Sequence, residues 1–149
     1  MSAPHPAQRR RARRFLVQAL YQWQLAGTEP SLLEAQFLAE EEMAAADVAY
    51  FRELLRGILA ERERLEPLAE RFSSRPLASL DPVTRAVLWI GLYELAERLE
   101  VPYKVVLNEA VDLARTFGPD EAHRFVNGVL DRVAGLCRAV EVAAERRAR

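Results

Sequence analysis

The sequence predicts an all-α fold, a single domain of about seven helices, and two observations carry that prediction. Apolar residues recur at helical spacing (i, i+3, i+4, i+7) along nearly the whole chain. No stretch alternates apolar and polar residues for the length of a strand, and no Asn-Gly or Asp-Gly pair marks a hairpin. With 149 residues, 50% of them hydrophobic and 29% charged, the chain is long enough for one globular domain with a proper core.

The first helix is expected over about 8–26, with Leu16, Ala19, Leu20 and Trp23 as its apolar stripe and Gly27 as its stop. The second covers about 31–42, opens at Pro30 or Ser31, turns Leu33, Phe37 and Leu38 inward, and ends in Glu40, Glu41 and Glu42. Asp47 is a good N-cap for a third helix to about Arg64, with Phe51, Leu54, Leu55, Ile58 and Leu59 facing inward. A short helix over about 66–73 follows, with Pro67 in its first turn. The loop Ser73 to Pro76 is the candidate boundary between two subdomains.

Asp81 followed by Pro82 is a strong start signal, Asp at the N-cap and Pro at the first helical position. The helix from there to about Leu99 is apolar on most sides and is expected to be the central, buried one. Pro102 opens the next helix, carrying Val106, Ala110, Leu113 and Phe117 and stopping at Gly118. Pro119 and Asp120 start the last long helix, with Val126, Val129, Leu130, Val133 and Cys137 on one face. The expected organisation is a disordered tail over 1–7, a helical domain over 8–140 with subdomains of about 8–75 and 76–140, and a frayed tail over 141–149. Gly91 and Gly128 inside helices are costly, and close helix–helix approach is the expected reason for them.

Charge is unevenly spread. The chain has net charge −1, yet its first 14 residues hold five arginines (Arg9, Arg10, Arg11, Arg13, Arg14) and no acid, leaving −6 for the remainder. A concentrated basic arm on a mildly acidic body is the electrostatic footprint of a polyanion binder. Lys104 is the only lysine, and arginine suits bidentate phosphate contacts and base stacking. At about 100° per residue, Arg10, Arg14, Val17, Gln18 and Tyr21 share one side of the first helix, opposite Leu16, Leu20 and Trp23. Arginines hold phosphates, and an aromatic ring off the core stripe stacks on an unpaired base. Packing of Tyr21 against a neighbouring helix is the competing explanation. Phe125 is likewise displaced from its apolar stripe, toward Glu121, Gly128 and Arg132, and serves either as a stacking contact or as a second-layer core residue.

Other chemistry finds little support. Cys137 is the single cysteine, so neither an intramolecular disulfide nor a cysteine-based metal site can form, and a buried small hydrophobe in a cytoplasmic protein is expected. There is no Gly-rich phosphate loop, and His5 and His123 lack metal-ligand spacing to any partner. His123 reads as a structural histidine, and Glu94 and Glu109 as embedded carboxylates that accept structural hydrogen bonds. No enzymatic activity, metal or cofactor is expected. Gln18, Gln22 and Gln24 interrupt any signal-peptide core, and the longest apolar stretch, Ala86 to Tyr93, is far too short to span a bilayer.

Several stretches together resemble the NusB family of bacterial transcription antitermination factors. They are Arg-Arg-Arg-Ala-Arg (9–13) with Gln-Ala-Leu-Tyr-Gln-Trp-Gln-Leu (18–25), Gln-Phe-Leu-Ala-Glu (36–40), Tyr-Phe-Arg-Glu-Leu-Leu (50–55) and Leu-Tyr-Glu-Leu (92–95). The most specific are the run from Val101 to Gly118 and His-Arg-Phe-Val-Asn-Gly-Val-Leu-Asp (123–131). The resemblance covers roughly residues 8–135, in order. It implies two small helical bundles packed together and no enzymatic activity. It also implies binding of boxA-type single-stranded RNA jointly with NusE, a ribosomal small-subunit protein, in the antitermination complex of RNA polymerase on ribosomal RNA operons.

Carried over by position, Arg9, Arg10, Arg11 and Arg13 match the family's basic RNA-binding arm, and Arg14 and Gln18 join them as RNA-binding candidates through their shared helical face. Tyr21 and Phe125, the latter beside Arg132, match aromatic positions at its RNA-binding surface. The partner-facing surface on the central helix is taken to include Thr84, Arg85, Trp89 and Tyr93, although many relatives carry a charged residue where Thr84 and Trp89 stand. Some members of that family self-associate through the same surfaces, so a homodimer is open. A protein-only scaffold, in which the basic arm serves solubility or an acidic partner, is the competing reading.

Overall fold

A computed structural model describes residues 5–149. Seven α-helices occur among the described residues: α1 Pro6–Ala26, α2 Pro30–Leu38, α3 Val48–Glu70, α4 Pro82–Glu97, α5 Tyr103–Phe117, α6 Ala122–Cys137 and α7 Ala139–Arg147. Two 3-10 turns, Glu41–Ala45 and Leu77–Ser79, complete the elements, and no strand is present among these residues. The all-α expectation holds. The chain divides into two compact units, Met1–Glu61 and Arg62–Arg149.

In the first unit α1 packs on α2 and on the 3-10 turn Glu41–Ala45. Leu16, Ala19 and Leu20 are fully buried, as their spacing predicts, with Leu33, Phe51 and Leu54. Each large side chain so removed from water contributes about 1.5–3 kcal/mol before entropy is counted. Phe15 meets Phe37 and Phe51 edge to face, with ring centroids 6.4 and 6.5 Å away. Helix α1 starts at Pro6, where a proline costs nothing because the first N–H has no helical partner. Residues 6 and 7 of the tail expected over 1–7 are therefore helical, and its residues 1–4 lie outside the described residues. Helix α2 stops at Leu38 rather than 42. Acids are unfavourable at a helix C-terminus, and Glu41 and Glu42 instead occupy the first turn of the 3-10 element.

The expected break near residue 65 is absent. Asp47 caps α3 as predicted, its Oδ1 accepting the Tyr50 N–H at 3.0 Å, but the helix then runs unbroken to Glu70 with Pro67 inside it. Leu65 and Ala69 are fully buried and continue the apolar spacing, while the Pro67 ring is exposed. The unit boundary accordingly falls within α3, not at the loop 73–76.

In the second unit α4, α5 and α6 pack on one another and α7 packs on α6. Asp81 caps α4, accepting the Thr84 N–H at 2.9 Å. Nearly every residue of α4 from Thr84 to Leu95 is buried. Gly91 lets Leu130 of α6 come close, since a Cβ there would stand 2.5 Å from Leu130 Cδ1 and displace that side chain. Gly128 has no such reason, since its Cβ would meet nothing within 4 Å.

The end of α4 is closed by a residue that the sequence pattern does not flag. The Arg138 side chain is buried, and all three of its nitrogens donate. Nε bonds the Leu95 carbonyl (2.9 Å), Nη2 those of Glu94 (3.1 Å) and Arg98 (3.0 Å), and Nη1 that of Val101 (3.0 Å) and Glu141 Oε1 (2.7 Å). These five bonds use the full guanidinium donor set. Arg138 itself leaves helical geometry (φ −129°, ψ 37°), which splits the last long helix into α6 and α7. The tail expected to fray is instead helix α7, and two acids pin it to the start of α5. Glu141 Oε2 accepts the Tyr103 N–H at 2.8 Å, and Glu145 accepts from the Tyr103 hydroxyl and pairs with Lys104. A carboxylate at a helix N-terminus satisfies an orphan donor and complements the dipole.

Arg138→Ala removes the side-chain donor of the Leu95 and Val101 carbonyls and the second donor of those of Glu94 and Arg98, which keep the N–H groups of Arg98 and Val101. It is expected to cost about 3–5 kcal/mol, read as a lower urea midpoint. Arg138→Lys is expected to recover little of that loss, because a single ammonium cannot reproduce the planar fork. Full rescue by lysine would show that charge alone matters there.

Candidate nucleic-acid interface

Helix α1 presents the basic arm on a rigid rod, ended by Gly27 at φ +64° with its N–H on the Trp23 carbonyl. The five arginines divide by face. Arg13 is 3% exposed, with its guanidinium 5.6 Å from the Tyr50 ring centroid. Arg9 is half-buried, 4.2 Å over the same ring, and its Nε lies 3.5 Å from Asp47 Oδ2. Asp47 thus caps α3 with one oxygen and faces Arg9 with the other, and both arginines fasten α1 to the start of α3. The expectation that Arg13 belongs to an open basic arm is corrected: its face of the helix is covered. Val17, expected beside Gln18, is also buried.

Arg10, Arg11, Arg14, Gln18 and Tyr21 remain exposed and form one row along α1. Tyr21 is 42% exposed, too open for a core role. Arg11 Nη1 donates to the Ala45 carbonyl at 3.3 Å, and Gln18 Nε2 reaches the Arg14 carbonyl at 3.4 Å. The row is cationic at its N-terminal end and aromatic at the other, a combination that holds phosphates and stacks a base.

In the second unit Phe125 is half-buried and Arg132 exposed. They stand seven residues apart on α6, hence on one face, with the exposed Gly128 between them. The cation over the Phe125 ring is Arg75, 5.8 Å from its centroid, a contact that no sequence spacing suggests.

The residues expected to face a partner on α4 are placed differently. Trp89 is fully buried and Thr84 is 3% exposed, so neither offers a surface. A helix apolar on nearly all sides is enclosed, which leaves little of it to face a partner. Glu66 accepts from Trp89 Nε1 at 3.3 Å and from Arg85, whose guanidinium lies 4.9 Å over the Trp89 ring. Arg85 and Tyr93 are half-buried. His123 and Cys137 are half-buried too, and burial pushes the Cys137 thiol above its ordinary pKa against the opposing charge of Arg138. Among the described residues no group of three or more His, Cys, Asp or Glu could hold a metal ion, and no helix is long and apolar enough to cross a membrane.

Comparison with known proteins agrees across sequence and structure. The model of the NusB family matches residues 10–135. The transcription antitermination protein NusB of Yersinia pestis (strain Pestoides F) is 53% identical over 133 residues, 89% of this chain and 96% of that protein. The protein of the same name from Shewanella halifaxensis is 48% identical over 133 residues, 89% of this chain and 98% of the other. Among solved structures, T. maritima NusB matches with TM-score 0.74 at 29% identity, over 90% of this chain and 92% of that one. A chain from the crystal structure of the antitermination factors NusB and NusE in complex with dsRNA matches with TM-score 0.77 at 27% identity, over 87% of this chain and 97% of that one.

Neighbouring residues of α1 are expected to respond differently to truncation. Arg13→Ala loses buried packing and the Tyr50 contact and is expected to destabilise by about 1–3 kcal/mol, whereas Arg14→Ala should stay within about 0.5 kcal/mol. Gly128→Ala meets open space and is expected to stabilise by up to about 1 kcal/mol. Thermal unfolding of the three variants checks this order, and equal losses for Arg13→Ala and Arg14→Ala would contradict it.

Proposed function

The chain belongs to the NusB family, and on that premise we propose that it is a cytoplasmic transcription antitermination factor that binds boxA-type single-stranded RNA together with NusE. It does so as part of the antitermination complex of RNA polymerase and supports processive transcription of ribosomal RNA operons. The observation that carries this reading is the exposed row Arg10, Arg11, Arg14, Gln18 and Tyr21 on α1. The similar chain solved with NusE and double-stranded RNA supports both partners.

The division of labour follows from chemistry. Arg10, Arg11 and Arg14 neutralise successive phosphates and release counterions, which fixes the register of the strand without reading its sequence. Tyr21 supplies a stacking face, worth about 1–3 kcal/mol per base. Phe125 and Arg132 offer the same pairing of ring and cation on the second unit and are a separate contribution. Arg9 and Arg13 act by holding α1 in place. No step of this function requires bond chemistry.

Fluorescence anisotropy with boxA-type RNA and a scrambled strand, with and without NusE, tests the reading. Preferential binding to boxA that tightens with NusE is expected. Replacing Arg10, Arg11 and Arg14 by alanine together should weaken binding and flatten the plot of log affinity against log salt by about 2, close to 0.7 per lost phosphate contact. Tyr21→Ala should weaken binding about fivefold or more with the salt slope unchanged. Weak, equal binding of both RNAs, unaffected by NusE, would favour a protein-only scaffold.

A further inference from the structure

On the first unit a groove of about 290 Å³ opens between α1 and the 3-10 turn Glu41–Ala45. Arg11, Arg14, Phe15 and Gln18 line it from α1, and Glu42 and Ala45 from the turn. The Phe15 ring is half-buried and held edge to face between Phe37 and Phe51, at interplanar angles of 77° and 82°. It is therefore a fixed aromatic wall. The bond from Arg11 Nη1 to the Ala45 carbonyl fixes the guanidinium across the groove. Two cations, an immobilised ring and a primary amide suit a nucleotide, with the arginines taking its phosphates.

Glu42 is the feature that basic-arm electrostatics leaves unexplained. A carboxylate repels phosphate, and here it shares a groove with the arginines that attract it. An ionised carboxylate only accepts hydrogen bonds, so it favours a base edge made of donors. Among the four bases of RNA, guanine alone presents two adjacent donors, N1–H and the N2 amino group, which match the two carboxylate oxygens. Its O6 is then left for the Gln18 amide or an arginine. The single N–H of uracil lies between two carbonyl oxygens, and the amino groups of adenine and cytosine adjoin ring acceptors that a carboxylate repels.

We infer that this groove receives one unstacked guanine of the bound strand and that Glu42 selects it. The inference rests on the RNA-binding reading above. It assigns to the 3-10 turn a part in reading the base, beside the phosphate contacts of α1.

The test uses a short uridine oligonucleotide carrying one central guanine, inosine or adenine, bound to the full chain and to Glu42→Gln and followed by fluorescence anisotropy. Inosine lacks only the N2 amino group. The wild-type chain is expected to bind the guanine strand at least about fivefold tighter than the inosine strand. Glu42→Gln should abolish that preference and bind the guanine strand more weakly, although removing a negative charge by itself tightens binding to any polyanion. Equal wild-type binding of guanine and inosine, or uniform tightening by Glu42→Gln across all strands, would overturn the inference and leave the RNA-binding reading standing. Failure of the wild-type chain to bind any of these strands while it still binds boxA-type RNA would overturn the inference alone, and failure to bind boxA-type RNA as well would overturn both. Glu42 is exposed, and an unchanged unfolding temperature for Glu42→Gln confirms that the comparison is between folded proteins.

Discussion

A helix buried on nearly every side has no water for the carbonyl groups of its last turn. Helix α4 is in that position, and its end is satisfied by the Arg138 guanidinium together with the backbone N–H groups of Arg98 and Val101. The same side chain reaches the Val101 carbonyl ahead of α5 and Glu141 at the start of α7. One planar donor set therefore fixes where α4 stops, how the chain turns into α5, and where α6 gives way to α7. Because every donor finds an acceptor, the cost of burying the charge is offset. The apolar contacts of α4, α5 and α6 supply the bulk of the stabilisation, and Arg138 makes them compatible with the helix end.

Arginine serves structure in the first unit as well. Arg9 and Arg13 flank Tyr50, and Arg9 faces the aspartate that caps α3. The orientation of α1 is set by these contacts and by the Phe15, Phe37 and Phe51 cluster beneath it. Turning that face inward is what turns Arg10, Arg11, Arg14, Gln18 and Tyr21 outward. The basic footprint is thus narrower than five arginines suggest, and it is borne by a helix whose rotation is held by the remaining two. A row fixed in this way presents its cations at a constant spacing, which favours one register of a phosphate backbone over a diffuse charge attraction.

Much of this was legible in the sequence, for identifiable reasons. Helical periodicity, the caps at Asp47 and Asp81 and the close approach at Gly91 are local or nearly local signals, and each appears in the structure. The misplacements arise where tertiary burial overrides a local rule. Pro67 reads as a break, yet buried Leu65 and Ala69 carry α3 past it. The last residues read as a frayed tail, since Glu141 and Glu145 find their partners some forty positions away at Tyr103 and Lys104. The face of the RNA candidates on α1 followed from helical angle, but the burial of Arg13 depends on Tyr50, which no spacing within α1 reveals. Family position points Thr84 and Trp89 toward a partner surface, the all-round apolar pattern of their own helix points inward, and both are buried.

The central claim is that α1 divides its arginines between holding the helix and meeting RNA. The side-chain Nε–H signals of the arginines, followed by NMR as boxA-type RNA is added to the full chain, test it most directly. The account predicts that Arg10, Arg11 and Arg14 shift together while Arg9 and Arg13 keep their positions beside Tyr50. Movement of the Arg9 and Arg13 signals with Arg10, Arg11 and Arg14 unchanged would contradict it.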